Sequence, residues 1–473
     1  MASATPTRPL RAPAPAPPPA RQRRAIPGLS KSRFTTGLQC HRLLWWSVNE
    51  PDAPELETTP DLQAVFDQGN LVGETARTYI PGGQLIALPY GEKEKRVEAT
   101  REAIAAGQRV IYEASFLADG VFVSVDILHR GPRARGWTLS EVKSTTKVKP
   151  HHIPDAAVQT HVVRRSGLPV VRTELMHLNR ECRHPDLSNL FTRTRVTRDV
   201  ETYLPAVPRE VKRQLTMLRG PKPPTVKTGP HCTAPYECPF LERCHGAAAR
   251  ARTRGEPAIE PGLAMALTAV KTPIAHFDFE TIGPAIPVWP GCRPYDPVPV
   301  QFSAHIEATR KGTRARHVEW LADGPGDPRP EIARALIKAL DEAGSIVVWH
   351  QPFEEGRLRE LQEAVPDLAD ELQRVIDRLV DLLPVVRKNV EHPAFRGSHS
   401  LKAVAPAVVP GLRYDDLEIG DGGTASRTLA AMLLGPKMSA AEKRATRKAL
   451  LTYCEQDTRA TMGVLAWLRG QGR

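Results

Sequence analysis

The sequence predicts an α/β protein with two domains, each built on a sheet flanked by helices. The chain has 473 residues, more than one ordinary domain contains, so two to three domains are expected. Along both halves, segments whose apolar residues recur at every second position alternate with segments whose apolar residues have the spacing of a helix. Residues 246–268 are dominated by Ala, Arg, Gly, Glu and Pro, which indicates a linker between the halves.

The composition is that of a soluble globular protein. Hydrophobic residues make up 41% of the chain, and no apolar run is long enough to cross a bilayer. Residues 1–27 are rich in Pro, Ala and Arg and lack the apolar core of a signal peptide, so a disordered tail is expected there. The corresponding expectation is a cytoplasmic protein with no membrane partner.

The net charge of +12 lies in the N-terminal half. Residues 1–265 carry the whole excess of Lys and Arg, whereas the remainder of the chain is neutral. An excess of this kind suits a phosphate-rich partner such as nucleic acid. A solvated basic surface without such a partner accounts for the charge equally well.

The N-terminal half is predicted to open with helices and to continue with a hairpin. The residues Ala118-Asp119-Gly120 separate two alternating segments and are typical of a tight turn between strands. A further strand then leads into a helix. The predicted helices are 29–46, 59–79 and 154–166, and the predicted strands are 109–116, 121–128 and 137–143.

The C-terminal half is predicted to form a mixed sheet with helices on its faces. Ser439 and Glu442 form a capping box, so the last helix begins there and its apolar pattern runs to Leu468. The predicted strands are 274–281, 298–306, 316–321 and 345–350, and the earlier helices are 330–342, 352–363 and 367–380.

Acidic residues in three separated segments of this half are candidates for one site. Asp278 and Glu280 are two residues apart on a predicted strand, so their side chains share one face. Tyr453 and Asp457 are four residues apart on the last helix and therefore adjacent. Glu354 follows an aromatic residue at the start of another helix. Carboxylates gathered in this way suit a two-metal phosphodiesterase site. A helix with solvated acids and a buried tyrosine is the structural alternative.

These three segments resemble the motifs of DEDD-type exonucleases, which have an RNase H-like fold. The resemblance implies that Asp278, Glu280, Glu354 and Asp457 hold two Mg2+ or Mn2+ ions during 3′–5′ hydrolysis, with Tyr453 orienting the attacking water. The chain departs from the family in having Glu354 where Asp is usual. Asp381 matches an acidic position after the second motif and is a secondary candidate.

A second group of residues resembles the PD-(D/E)xK nuclease pattern of RecB-like enzymes. Asp126 lies on one predicted strand, and Glu141 and Lys143 share a face of the next. The resemblance implies that the two acids hold a metal while the ammonium polarises water or phosphate. Further candidates that the pattern implies are Gln159 on the following helix, Glu74 as an early acidic ligand and Glu113 as a secondary acid. Val163 stands where the related Q-x-x-x-Y motif has tyrosine.

Four cysteines bracket this second group. The spacing Cys232-x5-Cys238-x5-Cys244, together with the remote Cys40, resembles the iron–sulfur staple of RecB-like nucleases. The resemblance implies a [4Fe-4S] cluster that fixes the ends of the domain together. Zinc is the second candidate for four thiolates, and unligated cysteines are the structural alternative.

The order of all these blocks resembles bacterial proteins that carry the domain of unknown function DUF2779. That family name implies no activity, so the prediction rests on the motifs above. They predict a PD-(D/E)xK restriction-endonuclease-like domain at residues 28–245 and an RNase H-like exonuclease domain at 269–473. The expected activity is metal-dependent hydrolysis of DNA or RNA. The alternative is a nucleic-acid-binding scaffold in which one or both nuclease sites are inactive.

Overall fold

A computed structural model of the chain describes residues 28–245, 256–308 and 314–471. The tail expected at residues 1–27 and the 246–255 part of the expected linker lie outside the described residues. Within the described ranges the chain is a mixed α/β protein with three sheets. No helix in these ranges combines the length and the apolar character that crossing a membrane requires.

Seven strands form the N-terminal sheet. They are β1 (Leu29–Ser30), β2 (Gln84–Leu85), β3 (Val110–Ala118), β4 (Val121–His129), β5 (Trp137–Lys143), β6 (Val170–Leu178) and β7 (Phe191–Arg195). Their order is β2-β3-β4-β5-β6-β7, and β1 pairs with β4. The predicted hairpin joins β3 to β4. Asp119 and Gly120 have φ angles of 52° and 77°, the left-handed values that a two-residue hairpin turn requires at both positions.

Helices cover and connect this sheet. They are α1 (Lys31–Gln39), α2 (His41–Asn49), α3 (Pro60–Thr78), α4 (Lys93–Ala105), α5 (His152–Arg165), α6 (Thr197–Tyr203), α7 (Val207–Leu218) and α8 (Leu241–His245). The single helix predicted over 29–46 is divided at Cys40. Its extended backbone, with φ −159° and ψ 121°, ends α1 and begins α2. Cys40 lines the same cavity as Cys232, Cys238 and Cys244.

Five strands form the C-terminal sheet. They are β9 (Ile274–Ile282), β10 (Val298–Ile306), β11 (Arg316–Leu321), β12 (Ser345–Val348) and β13 (Leu379–Asp381), in the order β11-β10-β9-β12-β13. A small separate sheet pairs β8 (Ala258–Ile259) with β14 (Val390–Glu391). The helix predicted over 367–380 ends early, and its last residues form β13. Strand pairing prevails there because Ile346 N donates to Arg378 O at 2.7 Å and β12 continues the ladder.

The helices of this half lie on both faces of its sheet. They are α9 (Leu263–Ala266), α10 (Arg329–Leu340), α11 (Gln351–Ala364), α12 (Ala369–Ile376), α13 (Leu382–Asn389), α14 (Leu401–Val408), α15 (Gly422–Leu434) and α16 (Ala440–Gln471). The capping box at the start of α16 forms as the sequence predicts. Ser439 N donates to Glu442 Oε2 at 2.8 Å, and Glu442 N donates to Ser439 Oγ at 3.2 Å.

The two halves contact each other through the loop that follows β9. Tyr295 in this loop donates its hydroxyl hydrogen to Ser144 O at 2.6 Å, immediately after β5. His184 and the 291–292 backbone exchange two further hydrogen bonds, of 3.0 and 2.9 Å. The loop that joins β9, the strand of Asp278, to β10 therefore contacts the chain immediately after β5, the strand of Lys143.

Candidate active sites and the cysteine cluster

Strand β9 presents its acidic residues to α16. Phe277 and Phe279 pack into the core that includes residues of α10 and α11. Alternation along the strand places Asp278 and Glu280 on the opposite face, against which α16 packs. Glu280 is buried and Asp278 is half-buried. The predicted sharing of one face is therefore seen in the structure.

Helix α16 brings Tyr453 and Asp457 to these carboxylates. Tyr414 donates to Asp457 Oδ1 at 2.6 Å. Lys402, at the start of α14, donates to the Tyr453 hydroxyl oxygen, and its Nζ lies 3.9 Å from Asp457 Oδ2. The ammonium also lies 4.6 Å from the centre of the Tyr453 ring and 5.4 Å from that of Tyr414. Sequence analysis identified neither Lys402 nor Tyr414.

Burial and mutual repulsion raise the pKa values of this carboxylate group. The pKa of Asp278 is well above its ordinary value because of burial and then the charges of Asp457 and Glu280. Burial and the charge of Asp457 act in the same way on the pKa of Glu280, and burial raises the pKa of Asp457. Lys402 opposes each of these shifts. Among the described residues, Lys402 is the cation that opposes these shifts, so additional cations would be stabilising here.

Glu354 extends the group from the first turn of α11. It is buried, and its Oε2 atom has no hydrogen-bond partner among the described residues. Burial, followed by the charge of Asp381, raises the pKa of Glu354 to about 8. The charge of Glu354 also raises the pKa of Asp278. Asp381 itself caps α13, because its Oδ1 accepts from Leu383 N at 3.0 Å.

The buried thiol of Cys454 borders the same site. One ligating atom each from Asp278, Glu280 and Cys454 lie within 4.8 Å of one another. Burial and then the charge of Asp278 keep the pKa of this thiol well above its ordinary value, so it is neutral. Hard divalent ions prefer the carboxylate oxygens to a neutral thiol. Cys454 therefore forms a wall of the site, and the oxygens are the donors that suit Mg2+ or Mn2+.

The PD-(D/E)xK candidates meet at the end of strands β4 and β5. Ile127 pairs with Ser140, which makes Asp126 and Glu141 neighbours across the strands. Glu141 Oε1 accepts from Lys143 Nζ at 2.8 Å and from Lys31 Nζ at 2.7 Å. Each of these contacts joins oppositely charged groups at low solvent exposure. The three residues of the predicted pattern are thus adjacent.

Helix α5 completes this arrangement. Gln159 Nε2 donates to Glu141 Oε2 at 2.7 Å, and Lys143 also pairs with Asp155. Val163, on the same helix, is fully buried in the core of the N-terminal sheet. The position of the missing tyrosine is therefore a packing position here. Neither Lys31 nor Asp155 was identified from the sequence.

The two acids of this site have opposite pKa shifts. Burial, followed by the charge of Glu141, raises the pKa of Asp126 to about 8. Burial also acts to raise the pKa of Glu141, but the charges of Lys143 and Lys31 outweigh it and hold that pKa below its ordinary value. Burial acts to lower the pKa of Lys143, but the charges of Asp155 and Glu141 outweigh it and raise that pKa. Glu141 is therefore ionised and Lys143 is charged at neutral pH.

The two remaining acidic candidates differ in their placement. Glu113 lies on β3 opposite Asp126 on β4, because its two neighbours pair with the two neighbours of Asp126. The charge of Glu113 raises the pKa of Asp126. Its φ of 59° is rare for a residue with a side chain and costs roughly 1–3 kcal/mol. Glu113 also accepts from Arg77 at 3.2 Å. Glu74 is exposed on α3 and forms no hydrogen bond or ion pair within the part of the chain that the structure describes.

The four predicted cysteines line a single small cavity. Apolar side chains of α2 and α8 form part of its wall, and all four thiols are unbridged. Burial raises the pKa of Cys238, and the other three cysteines add to the shift. Cys232 Sγ accepts from Gly229 N at 3.5 Å, and Cys244 Sγ accepts from Arg42 Nη1 at 3.6 Å. These donors suit sulfur atoms that carry negative charge.

The spacing of the sulfurs bears on which metal group they suit. Zinc bound by thiolates at about 2.3 Å would bring the sulfurs within about 4 Å of one another. Among the described residues, the sets of three or more ligating atoms that lie within 4.8 Å of one another do not include these cysteines. Three or more of these sulfurs therefore do not all lie within that distance of one another in the structure.

Comparisons with known proteins give partial matches. The family model of DUF2779, a domain of unknown function, matches residues 275–400. This range contains Asp278, Glu280, Glu354 and Asp381 and ends before Lys402.

Two uncharacterized mycoplasmal proteins are similar in sequence. The MG366 homolog of Mycoplasma pneumoniae is 24% identical over 212 residues, which are 41% of this chain and 32% of that protein. UU173 of Ureaplasma parvum serovar 3 is 23% identical over 214 residues, which are 41% and 31% of the respective chains. The chain thus spans about a third of the length of the curated relatives it matches.

A solved structure with a weak likeness is the alkaline exonuclease LHK-Exo of Laribacter hongkongensis. It has 16% sequence identity and a TM-score of 0.19, covering 41% of this chain and 88% of that chain. This TM-score is too low to show that the two chains share a fold.

Proposed function

We propose that the chain is a metal-dependent nuclease that hydrolyses phosphodiester bonds of DNA or RNA. The observation that carries the proposal is the convergence of Asp278, Glu280, Glu354 and Asp457, whose pKa values are all raised by burial. A stability role does not account for buried acids that repel one another. Such a group is stabilised by divalent cations, and the resemblance to DEDD-type exonucleases supplies the matching chemistry.

At the C-terminal site, the four carboxylates would hold Mg2+ or Mn2+. The bound ions would supply activation of water and neutralisation of charge at the phosphate. Tyr453 would orient the attacking water through its hydroxyl group. Because its oxygen accepts from Lys402, the Tyr453 proton is directed to another acceptor. Water adds to phosphorus, the P–O3′ bond breaks, and a 5′-mononucleotide leaves from the 3′ end.

The N-terminal site supports a second PD-(D/E)xK-type nuclease centre. Asp126 and Glu141 would hold the metal, while the Lys143 ammonium would approach the phosphate. Gln159 fixes the Glu141 carboxylate by its hydrogen bond. The charge of Glu113 raises the pKa of Asp126, which places Glu113 close to this metal site. The role of Glu74 as a ligand stays a prediction. The basic N-terminal half suits the nucleic-acid backbone.

The cysteine cavity supports a [4Fe-4S] cluster held by Cys40, Cys232, Cys238 and Cys244. Its thiols come from the break between α1 and α2, from α8 and from the segment between α7 and α8, so the cluster would join the two ends of the N-terminal domain. The N–H donors toward Cys232 and Cys244 suit bound thiolates, and zinc is the second candidate for the same four ligands.

The second candidate function is a nucleic-acid-binding scaffold with an inactive N-terminal site. The contact that favours it is Lys31, whose ammonium shares Glu141 Oε1 with Lys143. Two ammonium groups on one oxygen neutralise the negative charge of the Glu141 carboxylate, which would otherwise attract a metal ion. In that case, cleavage would depend on the C-terminal carboxylates alone.

A panel of end-labelled single- and double-stranded DNA and RNA tests the proposal. Purified protein with Mn2+ is expected to shorten at least one substrate, and chelation is expected to stop the reaction. Asp278→Asn should abolish cleavage at the C-terminal site, whereas Glu342→Gln, an exposed acid in the same half, should leave it unchanged. Intact substrates throughout, at several protein concentrations, would overturn the proposed activity.

A further inference from the structure

Two histidines and a glutamate converge beside the C-terminal sheet, away from the carboxylates described above. His305 on β10 pairs with His317 on β11, and their rings stack with centres 4.5 Å apart. Glu455 projects from α16, the helix that packs on β10. One nitrogen of each ring and one Glu455 oxygen all lie within 4.8 Å of one another.

The hydrogen bonds around the two rings suit one assignment of their protons. Thr458 Oγ1 donates to the carbonyl oxygen of Glu455 at 3.0 Å, so toward other groups this oxygen accepts. It lies 2.8 Å from His305 Nδ1 and 2.9 Å from Ser303 Oγ, and with its own proton on the Glu455 carbonyl it accepts from both.

The same reasoning extends to His317. Since Ser303 donates its only proton to Thr458, its oxygen accepts from His317 Nε2 at 2.9 Å. His305 therefore has its proton on Nδ1 and a lone pair on Nε2, and His317 has the reverse. Histidines that bind metals are oriented in this way, with the second nitrogen donating to a neighbouring acceptor.

The surrounding charges also suit a cation. Burial and then the charge of His317 lower the pKa of His305 to about 4, so its imidazole is neutral near pH 7. Arg459 pairs with Glu455 Oε1 at 2.8 Å, which leaves the other carboxylate oxygen for a ligand. Glu319 Oε2 lies 4.0 Å from His317 Nε2 and adds a second negative charge.

We propose that His305, His317 and Glu455 form a binding site for a zinc ion. Two imidazoles and one carboxylate are a ligand set that zinc accepts, whereas Mg2+ prefers oxygen alone. The ion would tie α16 to β10 and β11. Because α16 also carries Tyr453 and Asp457, the tie would hold that helix in register with Asp278 and Glu280. The site does not depend on the proposed nuclease activity.

Zinc stoichiometry of the full-length protein tests this site. Chelator-treated protein is dialysed against limiting zinc with excess Mg2+, so that Mg2+ competes at the carboxylate site. Wild type is expected to retain one more zinc ion per chain than His317→Asn or Glu455→Gln. His161→Asn is the matched control. It removes a histidine of the N-terminal half that pairs with Asp119, and it should retain the wild-type zinc content.

Differences between variants isolate the site from the cysteines, whose metal content should be the same in all four proteins. Zinc is also expected to raise the melting temperature of wild type more than that of the two site variants. His317 is half-buried, so its substitution tests the site even if His305→Gln does not fold. Equal zinc content and equal melting shifts in folded wild type, His317→Asn and Glu455→Gln would overturn the proposal.

Discussion

Replacing Glu354 by glutamine is expected to stabilise the metal-free protein while removing its function. Burial and Asp381 raise the pKa of Glu354 from 4.5 to about 8 in the folded state. For an acid whose folded pKa is raised, the energetic penalty is absent below the unfolded pKa. It grows as the pH rises toward the folded pKa.

The magnitude follows from the size of this shift. For Glu354 alone, the penalty is about 1 kcal/mol near pH 5 and about 4 kcal/mol near pH 8. Wild type should therefore lose roughly 3 kcal/mol more stability across this range than Glu354→Gln, which has no proton to lose. The neutral amide has nearly the same shape and leaves the packing of α11 intact.

Urea unfolding of chelator-treated protein at the two pH values measures this difference. Adding Mn2+ at the higher pH should stabilise wild type more than Glu354→Gln, because the variant lacks one ligand charge. Glu342→Gln should follow wild type under all conditions. If wild type and Glu354→Gln lose the same stability between the two pH values, the raised pKa and the reasoning built on it are wrong.

The remaining predictions concern the lysines and the cysteines. Lys402→Met should slow Mn2+-dependent cleavage about tenfold and shift the acidic limb of its pH profile upward. The reason is that the ammonium 3.9 Å from Asp457, partly screened by solvent, contributes roughly 1–2 kcal/mol. Lys31→Met should raise the pKa of Glu141, because the charge of Lys31 lowers that pKa in the wild type. Unchanged metal affinity and unchanged cleavage at the N-terminal site would show that Lys31 plays no part there. Cys238→Ser should remove bound iron and lower the melting temperature of anaerobically purified protein, and a colourless, iron-free wild type would refute the cluster.

Local sequence patterns were sufficient to predict the parts of the site that lie on single elements. Alternation along β9 places Asp278 and Glu280 together, and helical spacing places Tyr453 beside Asp457. The hairpin before β4 follows from Asp119 and Gly120, which tolerate left-handed backbone. These predictions depend only on neighbours within a few residues.

Contacts between distant segments were not predictable in the same way. Lys31 meets Glu141 across 110 residues, and Lys402 meets Tyr453 across 51. A lysine after a capping serine is an ordinary sequence feature, so nothing marked Lys31 before the sheet was assembled. Likewise, β13 replaced the end of a predicted helix because its partner strand β12 is remote in sequence.

Mononucleotide release in the Lys143→Met background tests the central claim most directly. This variant removes the ammonium of the N-terminal site, so the remaining cleavage reports on the C-terminal carboxylates. The account predicts Mn2+-dependent release of 5′-mononucleotides from a 3′-labelled strand by Lys143→Met, and its loss when Asp278→Asn is added. Release that persists in the folded double variant, or no release by folded Lys143→Met, would contradict the assignment of Asp278, Glu280, Glu354 and Asp457 as a nuclease site.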